Sequence, residues 1–221
     1  MSLFYPIIFG VFCYDQWQVY DYVSKQHRGD ADIRSIERKN AYILSIRSSL
    51  ILLLMGIYAN YLFAKSGFDT AVYFENITVH QDFLFKLALT YFTSYLVMDC
   101  VMGTLHYPRY MTSLSGYFHH IVYIILNGVA WKYRLYPHFL LFMLAELPTQ
   151  ILSIGQYNPR YRNDNLFGFT FLATRIVYHI ILLTQLTNYP LVFILGLLIL
   201  PLHVFWFRGW ITKYFRKNKT Q

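Results

Sequence analysis

Five separate stretches of this 221-residue chain are each long and apolar enough to cross a bilayer, which constrains the fold more than any other feature. A helix rises about 1.5 Å per residue, so roughly 30 Å of hydrocarbon takes about 20 residues. The stretches are 42–64, 84–104, 113–132, 168–187 and 190–210. A sixth, 137–154, is shorter and carries Pro148, which inside a bundle kinks a helix rather than ending it. The opening apolar run, 3–14, is too short for an ordinary span and lacks the basic start of a secretory signal. It is either a short or tilted span, extended by the aromatic segment around Trp17 and Tyr20, or an interfacial helix. The expectation is an all-α polytopic transmembrane helical bundle of about six or seven spans.

Composition excludes the soluble alternatives. Only 14% of residues are charged, 56% are apolar and 20% are aromatic, so the chain has too little polar surface for a soluble globule of this length. Tyr and Phe suit a chain that repeatedly passes the headgroup region, where amphipathic rings are stable. The net charge of +8 lies in short runs beside apolar segments and not in one basic domain, which points to a lipid surface and away from nucleic acid. Cys13 and Cys100 stand alone in apolar segments, and no Cys/His cluster offers a metal site.

Loop charge sets the orientation. Lys25, Arg28, Arg34, Arg38 and Lys39 precede the 42–64 span. Threading six spans from there puts Arg109, Arg160, Arg162 and the tail with Arg208, Lys213, Arg216, Lys217 and Lys219 on the same side. The other side holds Lys65, Lys86, Lys132 and Arg134. Thirteen basic residues against four assign the first side, and the C-terminus, to the cytosol. The sequon at Asn76 falls in the 65–82 loop, on the lumenal side, where a glycan is expected. A second sequon, 218–220, lies in the cytosolic tail and is expected to stay unmodified.

Function is sought where polar side chains sit in hydrocarbon against their cost, about 2.5 kcal/mol or more for a charge. Such residues are Arg47, Asp99, His119, His120, Glu146, Arg175 and His179, with Asn127 and Gln150 as uncharged support. Glu146, Gln150 and Ser153 recur at helical intervals, Arg175 and His179 are four apart, and Gly116, a histidine, Tyr123 and Asn127 form a third stripe. Three polar faces can line a wet or ligand-filled cavity. They can equally be structural: Arg47 can snorkel, Asp99 can pair with a basic neighbour, and a Glu146–Arg175 pair can fix helix packing. Adjacent histidines point about 100° apart, so one can face a cavity while the other bonds between helices. An imidazole is cheaper to bury than a carboxylate and can take a proton or attack an acyl group, with Asp99 or Glu146 orienting it.

The segments YLVMDCVMG at 95–103, GYFHHIVYIIL at 116–126, AELPTQILSI at 145–154 and NLFGFTFLATRIVYHI at 165–180 follow one another in an order that resembles the TLC domain family. That family is named for the translocating-chain-associated membrane protein, ceramide synthases and a neuronal ceroid lipofuscinosis protein. The resemblance covers roughly 38–212, leaving 1–37 as a short apolar helix with a basic loop and 213–221 as a basic tail. It implies a helical bundle around a lipid-accommodating cavity in the endoplasmic reticulum or a related membrane, with no cofactor. In the ceramide synthase branch, paired histidines carry N-acylation of a sphingoid base by an acyl-CoA. Their counterparts here are His119 and His120, with Asp99 as the acid of the preceding helix and Glu146 and Arg175 as common polar positions. The chain departs from that branch after the histidines, where FLLFMLAELPTQ has Glu146 but no His-Asp dipeptide and no aspartate. It is closer to the small TLC-domain proteins, linked to lipid composition, lipid trafficking or cargo handling. Three functions therefore stay open: lipid binding or homeostasis around an acyl chain or sphingolipid, acyl-CoA-dependent N-acyl transfer by His119 or His120 with Asp99, and a cargo or protein-interaction receptor.

Overall fold

In a computed structural model, residues 3–29 and 32–219 are described. The tail sequon 218–220 and the side chains of Arg28, Lys217 and Lys219 lie outside the described residues. The described chain is helical throughout, and five of its helices are long and apolar enough to cross a membrane: Ile33–Lys65, Val79–His106, Tyr136–Tyr157, Asp164–Gln185 and Pro190–Arg216. The protein is thus a multi-pass helical bundle.

The elements follow from local chemistry. Helix α1 is Phe4–Gln26, and α2 (Ile33–Lys65) starts where the Asp32 carboxylate accepts the backbone N–H groups of Arg34 and Ser35 at 3.0 and 3.2 Å. The short α3 (Thr70–Glu75) is capped by Asp69 in the same way. Before α4 (Val79–His106), Thr78 and Gln81 form a reciprocal capping box. The stretch expected at 113–132 forms one π-helical segment, Ser113–Phe118, and then α5, His119–Lys132. Next come α6 (Tyr136–Leu141), a 3₁₀ segment Phe142–Ala145 and α7 (Glu146–Tyr157), which form one rod. Pro148 has no N–H to offer Leu144, and the turn before it tightens into 3₁₀ geometry without ending the rod. A second π segment, Leu172–Val177, joins α8 (Asp164–Phe171) to α9 (Tyr178–Gln185), and α10 (Pro190–Lys219) closes the bundle.

Contacts between connections define two ends. At one, His27 is bonded to Asn40 and Tyr157, Arg109 lies 3.3 Å from Glu37, and the Tyr214 hydroxyl donates to Asn165. At the other, Tyr73 donates to the Pro137 carbonyl, Thr70 to that of Gln185, and Tyr136 to Asp82. The chain therefore alternates between these two ends from α2 to α10. The first end, here the basic end, carries Arg34, Arg38, Arg109, Arg160 and Arg162. Helix α1 also runs end to end, since Phe4 touches Phe83 and Tyr5 touches Trp131 while His27 follows its last turn. The ambiguous run 3–14 is thus the first half of a 23-residue helix packed along α4 and α2.

Helices α2 and α7 make the most intimate contact. Ser45 bonds Ser153 at 2.8 Å and Ser49 bonds Gln150, and farther along α2 Asn60 donates to the Leu141 carbonyl of α6 at 3.0 Å. Small and hydrogen-bonding side chains let backbones approach where hydrocarbon solvent supplies little driving force for association. Arg47 pairs with Asp15 of α1 at 2.7 Å.

Candidate functional site

A cavity of about 320 Å³ lies in the half of the bundle nearer the basic end, with Tyr42, Tyr110 and Phe167 in its outer lining. Its inner wall carries Asp99, His119, His120 and Arg175. Both π segments border it, one running directly into His119 and the other containing Arg175. The wider π turn rotates the following side chains relative to a regular helix, and such turns recur at functional sites. Gly116 in the first segment is required by packing: a Cβ there would sit 2.8 Å from the Met111 sulfur and 3.1 Å from its carbonyl carbon.

The paired histidines have different situations. His120 is 6% exposed, with Nδ1 2.7 Å from the Gly116 carbonyl and Nε2 in close contact with Asp99 Oδ2 at 3.0 Å, though not aligned for a hydrogen bond. Tyr107 donates to the other carboxylate oxygen at 2.6 Å. Both ring nitrogens of His120 thus lie beside oxygen atoms, the Gly116 carbonyl and the Asp99 carboxylate. His119 packs edge-on between Tyr123 and Trp206, and its buried Nδ1 has no hydrogen-bond partner. One histidine therefore lies against an acid, and its neighbour lines the same cavity with Nδ1 unbonded.

Arg175 marks a boundary. Its Nε donates to the Ala145 carbonyl at 2.8 Å and its Nη2 to Thr149 Oγ1 at 2.6 Å, bonds that tie α9's π segment to the 3₁₀ turn and α7. Glu146 is half-buried beside it, yet no ion pair within 4 Å joins the two among the described residues. On the other side of Arg175 lies a separate, narrow apolar slot of about 70 Å³, lined by Leu126, Phe139, Phe142, Leu195 and Ile199 and reaching Leu135 near the opposite end. Arg175 lines the slot as well as the polar cavity. His179 and His203 stand in the slot wall, each with one ring nitrogen 3.0 Å from a backbone carbonyl, those of Gly196 and Arg175.

The polar faces seen in the sequence do not all converge. Asp99, His119, His120 and Arg175 share the cavity, with Glu146 and His179 in the slot wall. Gln150 and Ser153 face away, sealing α7 to α2. Asn127 is bonded to Thr93 at 3.0 Å and lines a different groove, between α1, α4 and α5. Sequence reasoning missed Tyr107, which follows α4 and reads as a loop aromatic, and His203, whose apolar neighbours masked it. The spacing Asp99 to Tyr107 carries no motif that would have exposed the contact.

Fold and cavity together define a polytopic helical membrane protein with two internal cavities that share Arg175 in their linings. No protein-family model, curated protein or solved structure matches this chain.

Proposed function

We propose that this chain is a lipid-handling membrane protein of TLC-domain type, in which the polar cavity seats the head of an amphiphile and the apolar slot receives its chain. The observation that carries the reading is the shared neck. Arg175 lines both spaces, so a molecule with a polar head and an acyl tail meets matching surroundings on either side of one residue. The ligand class is an acyl lipid or sphingolipid, and the role is in membrane lipid homeostasis or trafficking.

A second reading, acyl transfer, is favoured by one specific feature: the unpartnered His119 beside the fixed Asp99–His120 pair. In that reading the nitrogen of a sphingoid amine attacks the thioester carbonyl of an acyl-CoA. The C–N bond forms, the C–S bond breaks, and His119 takes the amine proton and returns it to the departing thiolate. The test compares purified wild type with a His119→Ala, His120→Ala double variant, each given a labelled long-chain acyl-CoA with and without sphingoid bases. A histidine-dependent acyl adduct or N-acylated product, read by intact-protein and lipid mass spectrometry, establishes the enzyme. Co-purification of a lipid with both folded proteins, and no product, leaves lipid binding. Neither lipid nor product in either protein points to a cargo receptor and overturns both.

The same reading places the basic end in the cytosol of an endoplasmic-reticulum membrane and Asn76 in the lumen. Asn76 is exposed between α3 and α4. Asn76→Gln is expected to abolish a single glycan, seen as loss of a glycosidase-sensitive mobility shift. Modification confined to the tail would reverse the orientation.

A further inference from the structure

At the end of the bundle away from the histidines, α1, α4 and α5 leave a groove of about 580 Å³, inside the roughly 300–1,000 Å³ typical of small-molecule sites. Helix α1 packs along α4 and α2, and it touches α5 through the edge of Tyr5 on Trp131, ring centroids 4.6 Å apart. The groove is therefore a lateral gap in the bundle, roofed by two aromatic rings.

Its mouth is cationic. Lys86 and Arg134 share one carboxylate, Asp82, at 2.5 and 3.6 Å, which leaves a surplus positive charge. Arg134 is held at φ 57°, a left-handed conformation that non-glycine residues rarely take, where the chain turns from α5 into α6. Its side chain remains 72% exposed. The waist is apolar, formed by Phe9, Leu89 and Ile124. The floor is polar again. Asn127 is 2% exposed, and its Oδ1, an acceptor, has no partner; its amide nitrogen carries two N–H groups, of which one is donated to Thr93. On both helices the floor lies two turns below the mouth, about 10 Å, a gap that the arginine side chain shortens.

We infer that this groove is a site for an anionic glycerophospholipid from the leaflet at this end. The phosphate rests on Arg134 and Lys86, an ester carbonyl accepts the spare N–H of Asn127, and one acyl chain follows Phe9, Leu89 and Ile124 out between α1 and α5. Two features distinguish the site from ordinary lipid-facing surface. A surplus cation flanked by Tyr5, Trp131 and Tyr136 matches the phosphate level of a leaflet. A hydrogen-bonding floor is left unsatisfied by a bare hydrocarbon tail. The inference rests on the membrane-embedded bundle and not on the use made of the histidine cavity.

The test uses the full chain in mild detergent, loaded from mixed phosphatidylglycerol and phosphatidylcholine of matched chains and read by native mass spectrometry. Wild type is expected to retain one phosphatidylglycerol in about tenfold preference. Lys86→Gln with Arg134→Gln should remove the preference. Because those changes leave Asp82 without its partners, a second variant keeps the charges and fills the space. A Cβ on Gly128 meets nothing within 4 Å, so Gly128→Leu is expected to fold and to lose the retained lipid. Equal retention of the two lipids by wild type, or undiminished binding in Gly128→Leu, would overturn the site. Displacement of the lipid by millimolar inorganic phosphate would show a free-anion site and overturn it too.

Discussion

Asp99→Ala is expected to cost roughly 3–5 kcal/mol of stability, because it breaks a buried ionisable pair and leaves its partner uncompensated. The carboxylate is 6% exposed and lies against two groups from other parts of the chain, His120 Nε2 at 3.0 Å and the Tyr107 hydroxyl at 2.6 Å. His120 cannot turn away to find another acceptor, since its Nδ1 is already 2.7 Å from the Gly116 carbonyl. Tyr107 is itself 2% exposed, so removing the acid leaves its hydroxyl only the Asp99 backbone carbonyl at 3.4 Å and strips His120 Nε2 of its charged neighbour. Tyr107→Phe removes the hydroxyl and leaves the Asp99–His120 contact in place, and its cost should be near 1 kcal/mol. Unfolding in detergent of Asp99→Ala, His120→Ala and the double variant measures the coupling. The expected interaction energy is about 1–3 kcal/mol. Additivity within about 0.5 kcal/mol would mean that the two groups do not act as a unit, and His119 would lose its fixed neighbour in any catalytic reading.

The bundle was legible in the sequence because a membrane imposes length. The stretches 42–64, 84–104 and 190–210 each lie within a helix of the structure, and 168–187 overruns its helix by two residues past Gln185. The stretch 137–154 continues through Pro148 as a kinked rod, and 113–132 is not among the five helices long and apolar enough to span. The N-terminal helix was harder: its apolar run ends at Tyr14, and its second half is held by contacts no periodicity reveals, such as Gln16 on Ser94 at 2.7 Å. Polar residues were legible as expensive, but their destinations were not. Helical spacing placed Glu146, Gln150 and Ser153 on one stripe, yet that stripe is wide enough for Glu146 to reach the neck while Gln150 and Ser153 meet α2. Two π turns also shift the register around His119 and Arg175, a departure that a 3.6-residue count cannot anticipate.

Gly56→Ala should be nearly as damaging as the loss of Asp99, although it adds a single methyl group. A Cβ at Gly56 would lie 2.8 Å from the Met143 carbonyl carbon and 2.9 Å from the Leu144 nitrogen. These are backbone atoms of the 3₁₀ turn and cannot swing aside as a side chain would. The expected cost is about 2–3 kcal/mol, at the upper end for overpacking. The contact has little slack because Asn60, one turn on, donates to both the Gly56 and Leu141 carbonyls at 2.8 and 3.0 Å. Relief by pushing the 3₁₀ turn outward would carry Ala145 and Thr149 with it, the two acceptors that hold Arg175 at the neck. The variant should therefore lose bound lipid as well as stability, with every cavity side chain still present. Gly10 supplies the control: a Cβ there meets nothing within 4 Å, and Gly10→Ala should be neutral or raise stability by up to about 1 kcal/mol through helix propensity. If the two alanines behave alike in thermal unfolding, then α2 and the 3₁₀ turn do not pack at backbone contact, and the neck is set by side chains alone.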